Sequence, residues 1–251
     1  MVSDLGADPS RVLPLLWQTT ERRSAGTRLS VGRIVDQAVE IADAEGLDGV
    51  TMRSVATGLS VGTMSLYTHV PGKPELYALM VDRVIGEDLH PVQAAADWRE
   101  AVREIARNDR DRYRRHPWLL QLIIARPACG PNVTAKFDRD LSALVDTGLS
   151  AAEINATVLA LTVFVRGAAQ AEVSVEESRA AGFSDADWWQ AHQPYWSRLL
   201  DPERHPTFSR MYGDIGRSNP DDDHEFAFEF GLECLLDGID ARLGRNPGSS
   251  G

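Results

Sequence analysis

A chain of 251 residues with 43% hydrophobic and 25% charged side chains can bury a core without staples. This excludes a wholly disordered, collagen-like or disulfide-framework protein, and the two cysteines, Cys129 and Cys234, read as reduced thiols in a cytoplasmic protein. The net charge of −11, from 26 basic and 37 acidic residues, taken alone speaks against nucleic acid as a partner; the stretch Arg22 to Lys73, with six basic and five acidic residues, is nevertheless close to neutral.

Residues 1–28 lack a sustained period. Pro9 and Pro14 interrupt any helix, and Arg22-Arg23 to Arg28 reads as a flexible basic arm. From Ser30 the pattern is helical. Ser30 caps a helix with Ile34, Val35, Ala38, Ile41 and Ala42 on one side, and Gly46 ends it. Thr51 caps a short second helix carrying Met52, Val55, Ala56 and Leu59. A third runs from Thr63 to His69, and a fourth begins at Pro74 after the break at Pro71-Gly72. Further helices are predicted at about 97–115, 117–126, 132–147, 150–178, 185–200 and 223–243, with a capping box at Ser150–Glu153. The last is apolar on more than one face, with Phe226, Phe228, Phe230, Leu232 and Leu236, so it is expected in a core or against a partner chain. No strand pattern occurs. The chain reads as all-α without repeats. No apolar run is long enough for a bilayer and no leader peptide is visible, so no membrane partner is expected.

The stretch Thr51 to His69 has the skeleton of a helix-turn-helix. Ala56 is small where the two helices cross, and Val55, Leu59, Val61 and Leu66 sit at the offsets of a shared core. The turn position often held by glycine is Ser60, flanked by Gly58 and Gly62. In that geometry Thr63, Met64, Tyr67 and Thr68 point outward with Ser65 at the edge, suited to a DNA major groove. Helix starts at Thr51 and near Lys73 offer N–H groups to phosphates, and Arg53 reaches a phosphate or a guanine edge. Gly58-Leu59-Ser60-Val61-Gly62 also matches the nucleophile elbow of serine hydrolases, but that elbow needs a preceding strand. No other catalytic or metal pattern is present, so no cofactor, metal or enzymatic activity is expected. The six histidines are scattered: His69 belongs to the helix-turn-helix, and His90, His116, His192, His205 and His224 read as capping or surface residues sooner than as a metal site.

The run Thr51-Met52-Arg53, Ala56, Leu59-Ser60-Val61, Ser65-Leu66-Tyr67-Thr68-His69-Val70 and Lys73 closely resembles the DNA-binding domain of the TetR (tetracycline-repressor) family over about 30–90. Tyr113-Arg114, His116-Pro117-Trp118, Arg126-Pro127 and Thr147-Gly148-Leu149-Ser150 resemble its C-terminal domain. The resemblance implies a flexible arm at 1–28, a three-helix DNA-binding domain at 29–76 and a larger helical ligand-binding and dimerisation domain at 77–245. It implies that Thr51, Tyr67, His69 and Lys73 hold phosphates, and that Arg53, Thr63, Met64, Ser65 and Thr68 face bases. It further implies a homodimer through helices near 150–172 and 223–243, bound to a near-palindromic operator and released by a small-molecule effector. The family's magnesium-binding histidine before the Arg-Pro pair is replaced here by Leu122, which speaks against tetracycline–Mg²⁺. Candidate effector contacts are Trp118, Leu122, Arg126, Phe137, Leu161, Phe164 and Val165, each of which also suits plain core. The rival reading, favoured by the acidic charge and by Ser60, is a helical small-molecule binder or enzyme with a vestigial helix-turn-helix.

Overall fold

The computed structural model describes residues 7–18, 29–89, 97–122, 129–182, 187, 190–192, 194–195, 201–215 and 220–244. Among the described residues there are helices and turns and no strand. They fall into two compact units, Met1–Thr162 and Val163–Gly251.

The first unit opens with a helix that the sequence reading missed. Residues Pro9–Gln18 form α1, so the flexible arm expected over 1–28 is corrected there. Pro9 occupies the first turn, where its missing N–H has no partner to lose. Asp8 caps the helix, accepting from the Ser10 N–H at 2.9 Å, and that bond with the Ser10 hydroxyl holds its carboxyl below the usual range. Pro14 removes one internal bond. Burial of Val12 and Leu16 offsets that loss, and the helix packs on α5, described below. Residues 19–28, with the basic cluster, lie outside the described residues.

Four helices then build the head. In α2 (Val31–Gly49) the Ser30 hydroxyl accepts from the Arg33 N–H, and Gly46 breaks the helical path at φ 73°, as its sequence position predicts. α3 (Met52–Gly58) starts at a reciprocal cap between Thr51 and Ser54. α4 (Thr63–Tyr67) is shorter than expected, with Thr68 and His69 in the turn that follows. α5 (Lys73–Ile85) has Pro74 in its first turn and runs through the expected domain boundary at 76/77. Ile34, Ala38, Val55, Leu66, Val70 and Leu76 are fully enclosed between these helices.

α5 continues into the rest of the unit: α6 (Trp98–Arg115), capped by Asp97, then α7 (Leu119–Leu122) and α8 (Pro131–Ser142). A 3-10 turn, Val145–Thr147, interrupts the helix expected over 132–147. Two polar devices lock these pieces together. Buried Asp82 of α5 caps α8 by accepting from the backbone N–H groups of Asn132 (3.1 Å) and Val133 (3.0 Å). A chain of ion pairs runs across α6 and α8 through Asp109 with Arg112 (2.7 Å) and Lys136 (2.7 Å), and through Asp140 with Arg139 (2.9 Å).

α9 (Ala151–Ala180) starts at the predicted capping box: the Ser150 N–H donates to Glu153 Oε2 at 3.0 Å and the Glu153 N–H donates back to Ser150 Oγ at 3.4 Å. By length and composition alone α9 could cross a membrane, with a window of mean hydropathy 1.4. The expectation that no segment could do so is corrected. It rested on unbroken apolar runs, whereas α9 is apolar on average with polar and charged residues such as Thr162, Arg166 and Gln170 interrupting its runs. Ile154, Val158, Val165, Ala169 and Val173 are buried.

The second unit contains the end of α9, α10 (Pro206–Ile215), which the sequence reading did not anticipate, and α11 (Pro220–Leu243). The helix predicted at 185–200 lies mostly outside the described residues. Phe164 stacks on Phe228 with ring centroids 5.6 Å apart. Gly231 permits this, since a Cβ there would sit 2.7 Å from the Phe164 ring.

Candidate nucleic-acid interface and ligand groove

α3 and α4 are joined by a turn whose geometry depends on one residue. Ser60 has φ 56°, the only non-glycine residue with positive φ among the described residues. Its N–H donates to the Thr57 carbonyl and the Val61 N–H to the Ala56 carbonyl, each at 3.0 Å. This is the Schellman closure of a helix end, with serine where glycine is commoner. No strand precedes Ser60, so the hydrolase elbow has no structural basis here.

The turn sets the faces of α4. Leu66 and, beyond the helix, Val70 point into the core, while Met64, Ser65, Tyr67 and Thr68 are exposed and Thr63 is half-buried. Met64 is 76% exposed. The Thr68 hydroxyl donates to the Ser65 carbonyl at 2.7 Å, so its methyl and lone pairs remain available. Thr51 is exposed, but its hydroxyl is engaged in capping: it accepts from the Ser54 N–H at 2.9 Å. Arg53 is exposed and makes no ion pair among the described residues. Lys73 is half-buried, with its ammonium 5.2 Å from the centre of the Tyr77 ring, and makes no ion pair among the described residues. His69 is half-buried at the turn after α4. All nine residues expected to meet DNA therefore lie on or beside α3, α4 and the start of α5.

A polar junction ties this head to the helices behind it. His116, at the end of α6, is buried; its Nδ1 lies 2.7 Å from Asp43 Oδ1 of α2 and its Nε2 3.0 Å from Glu87 Oε2. The Trp118 indole N–H donates to the same Asp43 oxygen at 2.7 Å. Arg115 pairs with Glu87 at 3.5 Å and also with Asp88. The sequence reading treated His116 as a capping or surface residue. Its partner Asp43 is 73 residues away in the chain, and no local pattern signals that pairing.

The family model described as "Tetracyclin repressor-like, C-terminal domain" matches residues 90–243. The chain belongs to the tetracycline-repressor family. The HTH-type transcriptional repressor DrrR1 of Streptomyces coeruleorubidus is 39% identical to it over 247 residues, covering 97% of this chain and 90% of that one. The crystal structure of apo ActR from Streptomyces coelicolor superposes with a TM-score of 0.74 at 30% identity, covering 88% of this chain and 99% of that one. ActR in complex with actinorhodin gives 0.72 at 29% identity, covering 89% and 99%. This TetR-family chain is a helix-turn-helix transcriptional regulator with an all-helical C-terminal domain.

The expected effector contacts of this TetR-family chain are divided between the two units. Trp118 and Leu122 are buried in the first unit, and the Trp118 N–H is already committed to Asp43. Phe137 is 41% exposed on α8. Leu161 is half-buried, Val165 is buried, and Arg126 lies outside the described residues. Phe164 alone lines the apolar groove of about 380 Å³ in the second unit, between α9 and α11. Gly167, Ala171, Glu172, His224 and Phe228 line it as well. The sequence reading missed these four besides Phe228, which it assigned to an apolar helix stripe. The available signal was the small residues Gly167 and Ala171, spaced four apart, which open room on a helix face.

Proposed function

We propose that this chain is a ligand-released repressor that binds a near-palindromic operator as a homodimer in the cytoplasm. The observation that carries the reading is the outward face of α3–α4. It presents Arg53, Met64, Tyr67 and Thr68, with half-buried Lys73 beside it at the start of α5, and from Thr51 to Lys73 the chain contains no carboxylate. In our reading Thr51, Tyr67, His69 and Lys73 hold phosphates, and Arg53, Thr63, Met64, Ser65 and Thr68 face bases. Residues 29–76 act as the reading head and 77–245 as the regulatory and dimerisation part.

The dimer forms through α9 and α11. Val163 is 71% exposed, and Phe226 and Phe230 stack on each other in the open with centroids 5.8 Å apart. An exposed apolar face of this kind suits a self-complementary interface with a second copy. Two heads must then stand about one DNA turn apart, ~34 Å, to read both half-sites. A small molecule that fits only a differently spaced dimer draws the population off DNA by its differential affinity. The ligand-bound structure of ActR supports an effector of this kind, and Phe164 in the groove is the first residue to substitute. Within the first unit, the contacts of Asp43 with His116 and Trp118 are the direct route from the α6–α7 corner to α2 of the head.

The test is selection of bound duplexes from a random library, followed by a salt titration on the selected sequence. A two-fold symmetric site whose affinity falls steeply with salt supports the reading. A folded, dimeric protein that enriches no sequence over random duplex overturns it.

A further inference from the structure

The proposed reading head leaves open what base chemistry it reads, and α4 narrows the answer. Its sequence, Thr63-Met64-Ser65-Leu66-Tyr67, contains no arginine, lysine, asparagine, glutamine or carboxylate. The bidentate contacts by which side chains recognise guanine and adenine are therefore not available from this helix. Arg53 belongs to α3 and sits outside it.

What α4 does present outward is Met64 together with the hydroxyl residues Ser65 and Tyr67. Met64 is 76% exposed. Thr68, four residues on, lies on the same face one turn away. Thr68 retains helical backbone angles, φ −74° and ψ −18°. The Thr68 hydroxyl proton is committed to the Ser65 carbonyl at 2.7 Å, which turns the side chain into a methyl group with a spare acceptor. A lone exposed methionine is common on protein surfaces. A methionine and a threonine methyl aligned on the outward face of a recognition helix, with only hydroxyl side chains beside them, fit one feature of the major groove. That feature is the C5-methyl group of thymine, the only apolar group displayed there. Methionine's unbranched thioether adapts to such a contact.

We infer that Met64 and Thr68 form a thymine-methyl reader, so that each operator half-site carries thymine where this stripe docks. The inference rests on the proposed operator-binding function and deepens it. The test starts from the selected duplex and replaces its thymines one at a time by deoxyuridine, which deletes only the methyl group. Dissociation constants are measured by fluorescence anisotropy at fixed salt for the wild type, Met64→Ala and Thr68→Ser. In each half-site at least one replacement should weaken wild-type binding about fourfold, the transfer value of one methyl group. That sensitivity should vanish for one thymine in Met64→Ala and for its neighbour in Thr68→Ser, with the salt slope unchanged because neither side chain is charged. Duplexes that tolerate deoxyuridine at every position, or that keep their sensitivity in both variants, overturn the inference and leave the operator-binding function standing. A protein that selects no duplex at all refutes that function and the inference with it.

Discussion

Replacing Asp82 by alanine should destabilise the protein by about 2–3 kcal/mol, more than the loss of an ordinary helix cap. The carboxylate is buried and accepts from two backbone N–H groups, of Asn132 and Val133, and from the Asn132 amide at 3.1 Å. Alanine leaves the first turn of α8 with two donors that water reaches poorly. Part of the cost is offset, because burial also pushes the Asp82 carboxyl above its usual range and the charged form is no longer being desolvated. For a chain of this size the melting temperature should fall by roughly 5–10 °C. Asp97→Ala removes an exposed cap with a single bond to the Arg99 N–H at 2.9 Å, and should cost about 1 kcal/mol. Gly130 supplies an independent probe of the same contact. Its φ of −75° suits any residue, but a Cβ there would run into the Asp82 carboxylate, 2.5 Å from Cγ, and reach 3.0 Å from Leu16. Gly130→Ala should therefore destabilise the wild type by about 1–3 kcal/mol and the Asp82→Ala protein by clearly less. Urea denaturation of the four proteins closes the cycle. Equal costs of Asp82→Ala and Asp97→Ala, or strict additivity with Gly130→Ala, would refute the argument.

Other outcomes follow from the same geometry. Lys73→Ala should weaken binding to all duplexes alike and lower the salt slope by about one, whereas Arg53→Ala should change the preferred sequence; a uniform loss with Arg53→Ala would remove its base-reading role. Ser60→Gly should relieve left-handed backbone crowding and raise stability by about 0.5–1 kcal/mol after the entropy of glycine is subtracted, read as an upward shift in urea midpoint; a lower midpoint counts against the Schellman reading. Burial pushes the Asp109 carboxyl up, but Lys136 and Arg112 outweigh it and hold it below its ordinary 3.8. Its contribution to stability is therefore complete above 3.8 and lost as pH falls through the lowered value. Asp109→Asn should flatten that acid limb in urea midpoints measured from neutral to about pH 3, while Asp82, shifted the other way, gains stability as pH falls from its raised value towards 3.8. Val163→Glu should shift sedimentation from dimer to monomer by burying an unpaired charge, and a dimer of unchanged affinity would move the interface elsewhere.

The readable parts of this fold were those whose cause is local. Ser30, Thr51 and Ser150 cap helices where their spacing predicts, because a cap involves partners three residues apart. The position of Gly46 marks a break because a positive φ favours glycine. The outward set on α4 follows from the 3.6 period once Leu66 is assigned to the core. What escaped was set by distant partners. Pro9 and Pro14 argue against a helix until Val12 and Leu16 find a surface on α5. An aspartate within the apolar run of α5 gives no hint that a helix end fifty residues on will need capping. Trp118 resembles a ligand contact in sequence, yet its indole N–H is held by Asp43, 75 residues earlier.

The acidity of the chain poses the remaining question, since a net charge of −11 should repel DNA. The answer lies in where the carboxylates are held. Of the head's acids, Glu75 and Asp82 of α5 are buried, and on α2 Asp36 is engaged with Arg83 at 2.8 Å and Asp43 with His116 at 2.7 Å. Glu87 and Asp88, after α5, are paired with Arg115. From Thr51 to Lys73 there is no acidic side chain, and the basic ones are Arg53, His69 and Lys73. Beyond a Debye length of about 8–10 Å the remaining acids are largely screened at physiological salt. A duplex at the face of α4 therefore meets a small cationic site instead of the protein's average charge. Sequence preference beyond that of Arg53 comes from contacts that carry no charge, which is the role proposed for the outward face of α4.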